Sequence, residues 1–191
     1  MLTIYIDFKS PASYLALEPT LAMARETGVA IDWLPFSVRA LSVPEEQENE
    51  SVGDRHRRVR AAAQRDIHLH YAAVQGLDMH FAKTPAGSDA ALAALAVMDG
   101  DPDPFLRAAF AAYWTDQADL ADEGVVAALL QSVGIDQPDW KSAHAKTASI
   151  RDHAEQSGIF EAPSYRIADQ LFLGREHLPW IKSLIAAELG Q

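Results

Sequence analysis

The first 36 residues show the patterns of apolar and polar positions expected of two strands flanking a helix. Residues 2–8 are rich in β-branched and aromatic side chains, which favours a strand. Ser10 and Pro11 supply a helix N-cap and a first helical residue, and Gly28 supplies a stop. A second strand is predicted over residues 29–36. We therefore expect a parallel, right-handed strand–helix–strand unit at the start.

The middle of the chain carries only helical patterns. An acidic linker over residues 44–53 precedes them. Apolar residues at helical spacing and glycine stops then predict a helix ending at Gly76 and four later segments. Those segments are residues 88–98, 104–114, 122–133 and 139–157, the last as one helix or two short ones.

The end of the chain returns to a mixed pattern. Two short strands are predicted over residues 164–168 and 170–173, and an amphipathic helix over residues 176–189. A β-α-β half and a β-β-α half together make a thioredoxin-like sheet. We predict one α/β domain, residues 1–191, with a thioredoxin-like fold and an inserted all-helical subdomain. The sheet and its flanking helices would come from residues 1–40 and 158–191, and the helical insertion from residues 41–157.

Composition excludes several classes of protein. With 27 acidic and 16 basic residues the formal charge is −11, which argues against a nucleic-acid-binding protein. No apolar stretch reaches the roughly 18 residues of a membrane helix, and the first residues lack the basic region of a signal peptide. We expect a soluble cytoplasmic protein. The chain has no cysteine, so it has neither a disulfide nor a cysteine nucleophile.

Histidines and arginines give weaker signals. His68 and His70 fall in a predicted helix, where positions i and i+2 face different ways, so no metal site is expected. The one basic cluster is interpreted as a solvated helix face that balances the acidic run at residues 45–50. A wall that binds carboxylates is the alternative. The cluster comprises Arg55, Arg57, Arg58, Arg60 and Arg65.

Two segments are candidates for chemistry. Ser10 lies where the first strand meets a helix N-terminus, a place where amides and the helix dipole favour negative charge. A plain N-cap is the simpler interpretation of this serine. Pro163 directly precedes the third strand, where thioredoxin-like proteins place a cis-proline that faces the same helix. An ordinary trans proline is the alternative. Four nearby aromatic residues are expected to be core rather than ligand contacts: Phe8, Tyr14, Trp33 and Phe36.

A family resemblance joins these segments. Residues 7–16, Asp-Phe-Lys-Ser-Pro-Ala-Ser-Tyr-Leu-Ala, resemble the opening of the 2-hydroxychromene-2-carboxylate isomerases and kappa-class glutathione transferases, within the DsbA-like thioredoxin superfamily. Residues 158–164, Gly-Ile-Phe-Glu-Ala-Pro-Ser, and 172–178, Phe-Leu-Gly-Arg-Glu-His-Leu, are similar to two further segments of that family. The resemblance spans nearly the whole chain in order.

The resemblance implies a site and a ligand. Ser10 would donate a hydrogen bond to the sulfur of bound glutathione and favour its thiolate. The backbone at Ala162, before Pro163, would pair with the cysteinyl part, and Arg175 with Glu176 would hold the γ-glutamyl group. Glutathione as cofactor, a small aromatic or electrophilic substrate and a homodimer are implied in the same way.

The implied reaction is an isomerisation. The glutathione thiolate would add reversibly to an unsaturated aromatic acid, and bond rotation followed by loss of the thiol would complete the step. Disulfide exchange by the chain is excluded, because Ser10 and Ser13 replace both cysteines of a redox motif. The remaining alternative is a binding module without catalysis. It is favoured by Arg175 and Glu161, which replace a small residue and a glycine of the family pattern, and residues 86–88 lack the isomerases' usual asparagine.

Overall fold

Four strands form one mixed sheet in a computed structural model that describes residues 1–39 and 43–189. The sheet order is β2-β1-β3-β4, with β1 parallel to β2 and β3 antiparallel to both β1 and β4. This is the predicted thioredoxin-like arrangement. Because β1 is a central strand, its carboxyl end lies near the middle of one end of the sheet. The strands are β1 (Leu2–Ile6), β2 (Ile31–Pro35), β3 (Ser164–Ile167) and β4 (Gln170–Leu173).

Seven α-helices lie within the described residues, in the order that the sequence predicts. The segment over residues 139–157 is a single helix, and the final helix begins two residues later than expected because Arg175–His177 forms a 3₁₀ turn. The helices are α1 (Pro11–Thr27), α2 (Val52–Gln75), α3 (Asp89–Ala96), α4 (Asp103–Trp114), α5 (Glu123–Ser132), α6 (Trp140–Gln156) and α7 (Leu178–Leu189). Whether residues 41–157 behave as one insertion stays a prediction.

The chain divides into two compact units. Residues 39–79 form one, and residues 1–38 with 80–191 form the other. Within the smaller unit, the basic residues of α2 pair with the acidic segment before it: Arg55 and Arg58 both contact the Glu50 carboxylate, at 3.0 and 2.8 Å. These pairs favour the interpretation of the arginine cluster as a face that balances the acidic run.

Helix α1 has the ends that its sequence predicts. The Ser10 hydroxyl oxygen accepts from the Ser13 N–H at 3.2 Å, and Gly28 adopts φ +70° while its N–H donates to the Ala24 carbonyl at 2.8 Å. Pro19 lies inside this helix and has no N–H, so it cannot donate the usual helical hydrogen bond to the carbonyl four residues earlier, on Leu15.

Both faces of the sheet are covered. Trp33, Ile4, Tyr165 and Phe172 lie side by side across all four strands and are buried. On this face the Thr20 hydroxyl of α1 contacts the Tyr165 hydroxyl at 3.0 Å, and Trp180 of α7 packs on Phe172. The other face packs against α6 through a cluster formed by Tyr5, Phe36, Ala154, Ile159 and Ala162.

An aromatic cluster lies behind the carboxyl end of β1. Phe110 of α4 packs against Phe8 and Tyr14, with ring centroids 5.0 and 5.6 Å apart. Trp114 stacks on Tyr14, and its indole Nε1–H donates to the Phe8 carbonyl at 2.9 Å. Phe8 and Tyr14 are therefore core residues, as are Trp33 and Phe36. The cluster fixes the segment that leads from β1 into α1.

No helix in the part of the chain that the structure describes has the length and apolar character needed to cross a membrane.

Substitution of Phe110 by alanine tests the aromatic cluster. Phe110 is 1 % exposed, and Phe110→Ala is expected to lower the free energy of unfolding by about 3–5 kcal/mol, the usual cost of emptying a buried phenylalanine site. Phe160→Ala is the matched control, because this phenylalanine is 66 % exposed. Urea denaturation followed by tryptophan fluorescence measures both, and equal losses in the two variants would contradict the packing described.

Candidate functional site

A tight turn carries the chain from β1 into α1. The Ser10 N–H donates to the Asp7 carbonyl at 3.0 Å, so β1 ends at Ile6 rather than at Phe8 as the sequence pattern predicts. With the Phe8 carbonyl held by Trp114, the turn has a fixed position. The Ser10 side chain consequently lies at the N-terminus of α1, next to the carboxyl end of β1.

The Ser10 hydroxyl joins this turn to the segment before β3. It donates to the Ala162 carbonyl at 2.8 Å, while its oxygen accepts from the Ser13 N–H. The Ala162–Pro163 peptide bond is cis, which confirms the expectation, and the two loops are in direct contact. Ser10 is thus an N-cap and, in addition, a contact between two segments far apart in the sequence.

The turn after β4 lies on the other side of Pro163. The Gly174 N–H donates to the Pro163 carbonyl at 2.9 Å, which brings Arg175 and Glu176 next to the cis-proline. Gly174 has φ +81° and ψ 157°, a backbone conformation that favours glycine over every other residue. Hydrogen bonds thus connect Ser10 to Ala162, and Pro163 to the turn that carries Arg175 and Glu176. The role of these five residues as a binding site stays a prediction.

Arg175 also reaches back to α1. Its Nη1 donates to the Leu15 carbonyl at 3.4 Å, and this is the carbonyl to which Pro19, having no N–H, cannot donate. The guanidinium is half-buried, whereas Glu176 is exposed. The arginine that departs from the family pattern therefore ties the β4 turn to α1.

Asp7 is a buried carboxylate that holds several segments together around the turn. Its side chain is 0 % exposed and accepts from the Val38 N–H at 2.7 Å and from the Ser88 hydroxyl at 2.6 Å. Lys9 Nζ pairs with the same carboxylate at 2.7 Å and donates to the Ser37 hydroxyl at 2.8 Å. Asp7 thereby connects β1 to the segment after β2 and to the start of α3, and Lys9 neutralises its charge.

Residues 86–88 are held against this carboxylate. The Tyr113 hydroxyl of α4 donates to the Ala86 carbonyl at 2.9 Å, and Ser88 donates to Asp7. Burial, together with the negative charge of Asp7, raises the pKa of Tyr113 to about 12, so this hydroxyl stays a donor at neutral pH. Ser88 lies in the segment where the family resemblance implies an asparagine, and its hydroxyl contacts the Asp7 carboxylate.

The sequence interpretation missed Asp7, Lys9 and Ser88. A signal for Asp7 was present, because it is the single acidic residue in the otherwise apolar or hydroxylic segment of residues 2–8. Its partners could not be found in the same way, since Ser88 lies in a different part of the sequence. Glu161, the other departure from the family pattern, is exposed beside Ala162.

Among residues 1–39 and 43–189, no three histidine, cysteine or acidic side chains lie close enough together to hold a metal ion.

Asp7→Asn tests the role of the buried carboxylate. An amide has one acceptor oxygen, so its NH₂ group must face donors that the second carboxylate oxygen now satisfies. Leaving such buried donors unpaired is expected to lower the free energy of unfolding by about 1–3 kcal/mol. The matched control is Asp136→Asn at an exposed position, which should change stability by less than about 0.5 kcal/mol. Urea denaturation measures both, and a fully stable Asp7→Asn protein would contradict this role.

Comparisons with known proteins agree with this fold over the whole chain. The family model described as DSBA-like thioredoxin domain matches residues 1–186. A 2-hydroxychromene-2-carboxylate isomerase from Sphingobium xenophagum is 27% identical over 194 residues, which is 95% of each protein.

Two solved structures have a similar fold. The structure of a 2-hydroxychromene-2-carboxylate isomerase superposes with a TM-score of 0.75 at 18% identity, covering 98% of this chain and 95% of that one. The cytosolic disulfide reductase DsbM from Pseudomonas aeruginosa, solved with GSH, superposes with a TM-score of 0.63 at 17% identity, covering 100% and 99%. Since the family model matches nearly every residue, this chain belongs to the family of DSBA-like thioredoxin domains.

Proposed function

We propose that this protein is a glutathione-dependent isomerase in which Ser10 stabilises the thiolate of bound glutathione. One observation carries the proposal: in a fold family built around a reactive sulfur, a chain without cysteine places a serine hydroxyl at the N-terminus of α1, facing the residue before Pro163. A site that lacks its own sulfur needs a thiol from a ligand. A small aromatic or electrophilic substrate and a homodimer in the cytoplasm belong to the same proposal.

The relatives support this choice of reaction and ligand. The relative from Sphingobium xenophagum is a 2-hydroxychromene-2-carboxylate isomerase, and its similarity extends over 95% of both chains. The structure of DsbM with GSH provides an example of this fold holding the tripeptide. The proposed substrate is accordingly an unsaturated aromatic acid that accepts a thiolate.

The energetics of thiol activation are within reach of the residues present. A free thiol has a pKa of about 8.5, and lowering it by about 2 units requires about 2.7 kcal/mol of preferential thiolate stabilisation. A hydrogen bond to a charged group contributes roughly 1.5–3 kcal/mol, and the dipole of α1 contributes up to about 1 kcal/mol. Together these two contributions reach the required stabilisation when the Ser10 hydroxyl donates to the sulfur.

The reaction then proceeds through a covalent adduct between the thiol and the substrate. The thiolate forms a carbon–sulfur bond to the unsaturated acid, and the electron pair of the double bond moves into the conjugated carbonyl group. The former double bond rotates as a single bond. Return of the electron pair expels the thiolate and leaves the isomer, so the thiol compound is regenerated.

The residues around Pro163 suit the tripeptide. The backbone of Ala162 is the proposed partner of the cysteinyl amide, and the exposed Glu176 carboxylate is a partner for the ammonium of the γ-glutamyl group. Arg175 holds the turn in place through the Leu15 carbonyl. Its side chain thus supports the binding surface from behind.

A binding module without catalysis is the second candidate. The observation that favours it is the exposed Glu161 beside Ala162, which adds a negative charge close to the proposed thiolate. Saturable glutathione binding without turnover of any member of a panel of aromatic and electrophilic substrates would favour this candidate over the isomerase.

The chain is expected to be inactive in disulfide exchange. In an insulin reduction assay it should show no reductase or oxidase activity beyond the background rate of added glutathione, because it has no cysteine to carry electrons. A DsbA-type protein with both cysteines serves as positive control, and clear turnover above the background would refute the expectation.

Ser10→Ala is expected to lower catalysis more than glutathione binding. The contacts proposed at Ala162, Arg175 and Glu176 remain in the variant, but the sulfur loses its donor. The pKa of the bound thiol should rise by about one to two units from about 6.5, which reduces the thiolate fraction at pH 7 by about 3- to 25-fold. Calorimetric titration measures the affinity, and ultraviolet absorbance of the thiolate against pH measures the pKa.

Ser13→Ala is the matched control for this experiment. Its hydroxyl oxygen accepts from the Asp7 N–H at 3.4 Å and does not contact Ala162, so the thiolate titration should stay close to that of the wild type. Identical titrations of wild type and Ser10→Ala would reject the role given to Ser10. A wild-type protein that binds no glutathione would reject the proposed function itself.

A further inference from the structure

The proton of the Ser10 hydroxyl is already in use. It is donated to the Ala162 carbonyl, and the lone pair opposite it accepts from the Ser13 N–H. A hydroxyl has one proton, so Ser10 can donate to a ligand sulfur only by turning away from Ala162. If Ser10 donates to a ligand sulfur, the Ala162 carbonyl therefore loses its present donor.

The free-energy cost of leaving the Ala162 carbonyl unpaired is comparable with the gain from a hydrogen bond between Ser10 and the thiolate. Ser10 is 8 % exposed and Ala162 is 3 % exposed, so water has little access to the carbonyl that would lose its donor. Leaving a buried carbonyl unpaired disfavours a state by a factor of about 5 to 150, similar to what one hydrogen bond to a thiolate contributes. Turning the hydroxyl is favourable only if another donor reaches Ala162.

The neighbouring carbonyls have partners that lie outside the N-terminus of α1. The Glu161 carbonyl accepts from the Ser164 hydroxyl at 2.5 Å, within the same loop, and the Pro163 carbonyl accepts from the Gly174 N–H. Over residues 161–163, the Ala162 carbonyl is thus the acceptor whose donor comes from the N-terminus of α1. A ligand seated between the two loops would meet this carbonyl and Ser10 together.

A cysteinyl amide has the right shape to replace the hydroxyl. Its nitrogen is separated from the sulfur by two carbon atoms, and the Ser10 oxygen and Ala162 oxygen are 2.8 Å apart. A ligand whose sulfur contacts Ser10 can therefore direct its N–H at the Ala162 carbonyl. The exchange keeps every buried polar group paired.

We propose that the amide N–H of the bound thiol compound decides whether Ser10 activates its sulfur. The inference rests on the proposed function and makes it more specific: the thiols that this site activates are cysteinyl peptides with an amide N–H beside the thiol. A thiol that lacks this N–H leaves the Ser10 proton on Ala162. Ala162 thereby acts as a specificity-determining residue through its backbone.

The test compares glutathione with its ester analogue, in which oxygen replaces the cysteinyl N–H. Ultraviolet titration of the bound thiol is performed in wild type and in Ser10→Ala. With glutathione, the thiolate fraction at pH 7 should be about 3- to 25-fold larger in wild type. With the ester analogue, the two proteins should agree within about twofold, since the proton stays on Ala162 in the absence of a replacement donor. Ser10→Thr, which keeps the hydroxyl, should restore the wild-type behaviour with glutathione.

A second measurement does not depend on ionisation of the sulfur. S-methylglutathione and its ester analogue are titrated calorimetrically into both proteins. In Ser10→Ala the Ala162 carbonyl has lost its donor. The ratio of the affinity for S-methylglutathione to the affinity for its ester analogue should therefore be about fivefold or more larger in Ser10→Ala than in wild type. This increase is expected even where the variant is inactive.

The outcomes separate this inference from the proposed function. If wild type lowered the thiol pKa of the bound ester analogue as much as it lowers that of glutathione, the inference would be overturned and the proposed function would remain intact. An ester analogue that binds to neither protein would also overturn it, because the amide would then be needed for binding itself. Failure of glutathione to bind to wild type would reject the function on which the inference rests.

Discussion

The Asp7 carboxylate is the interaction on which the geometry of the site depends. It is fully buried, and its charge is satisfied by Lys9 and by donors from the segment after β2 and from the start of α3. A buried carboxylate is stable only when its oxygens are paired, so these segments are constrained to meet at the carboxyl end of β1. The turn that presents Ser10 follows directly from this arrangement, and the aromatic cluster of α4 supports it from the other side.

The chemical constraint on the same site is the absence of cysteine. The fold places a helix N-terminus opposite Ala162 and Pro163, and the Ser10 side chain at this N-terminus is a hydroxyl rather than a thiol. A hydroxyl cannot exchange disulfides, yet it donates well to an anion. A ligand that brings the sulfur is therefore consistent both with the fold and with serine in place of cysteine. A redox role would be consistent with the fold alone.

Much of the fold could be predicted from local sequence signals, because the signals at the ends of α1 and the short strands act over a few residues. Ser10 with Pro11 and Gly28 mark the ends of α1 correctly. The end of β1 was placed two residues too late, since the apolar pattern continues into a turn that a hydrogen bond between Ser10 and Asp7 closes. The grouping of the site residues came from a family resemblance. The partners of Asp7 and of Arg175 could not be predicted, because they are distant in the sequence and are set by packing.

The contact between Arg175 and Leu15 has a consequence for how the sequence can vary. Pro19 has no N–H to donate inside α1, and the guanidinium from beyond β4 contacts the Leu15 carbonyl. A residue other than proline at position 19 would add an N–H that competes with this guanidinium for the same carbonyl. A substitution at position 19 is therefore expected to alter the turn after β4, although the two positions lie near opposite ends of the sequence.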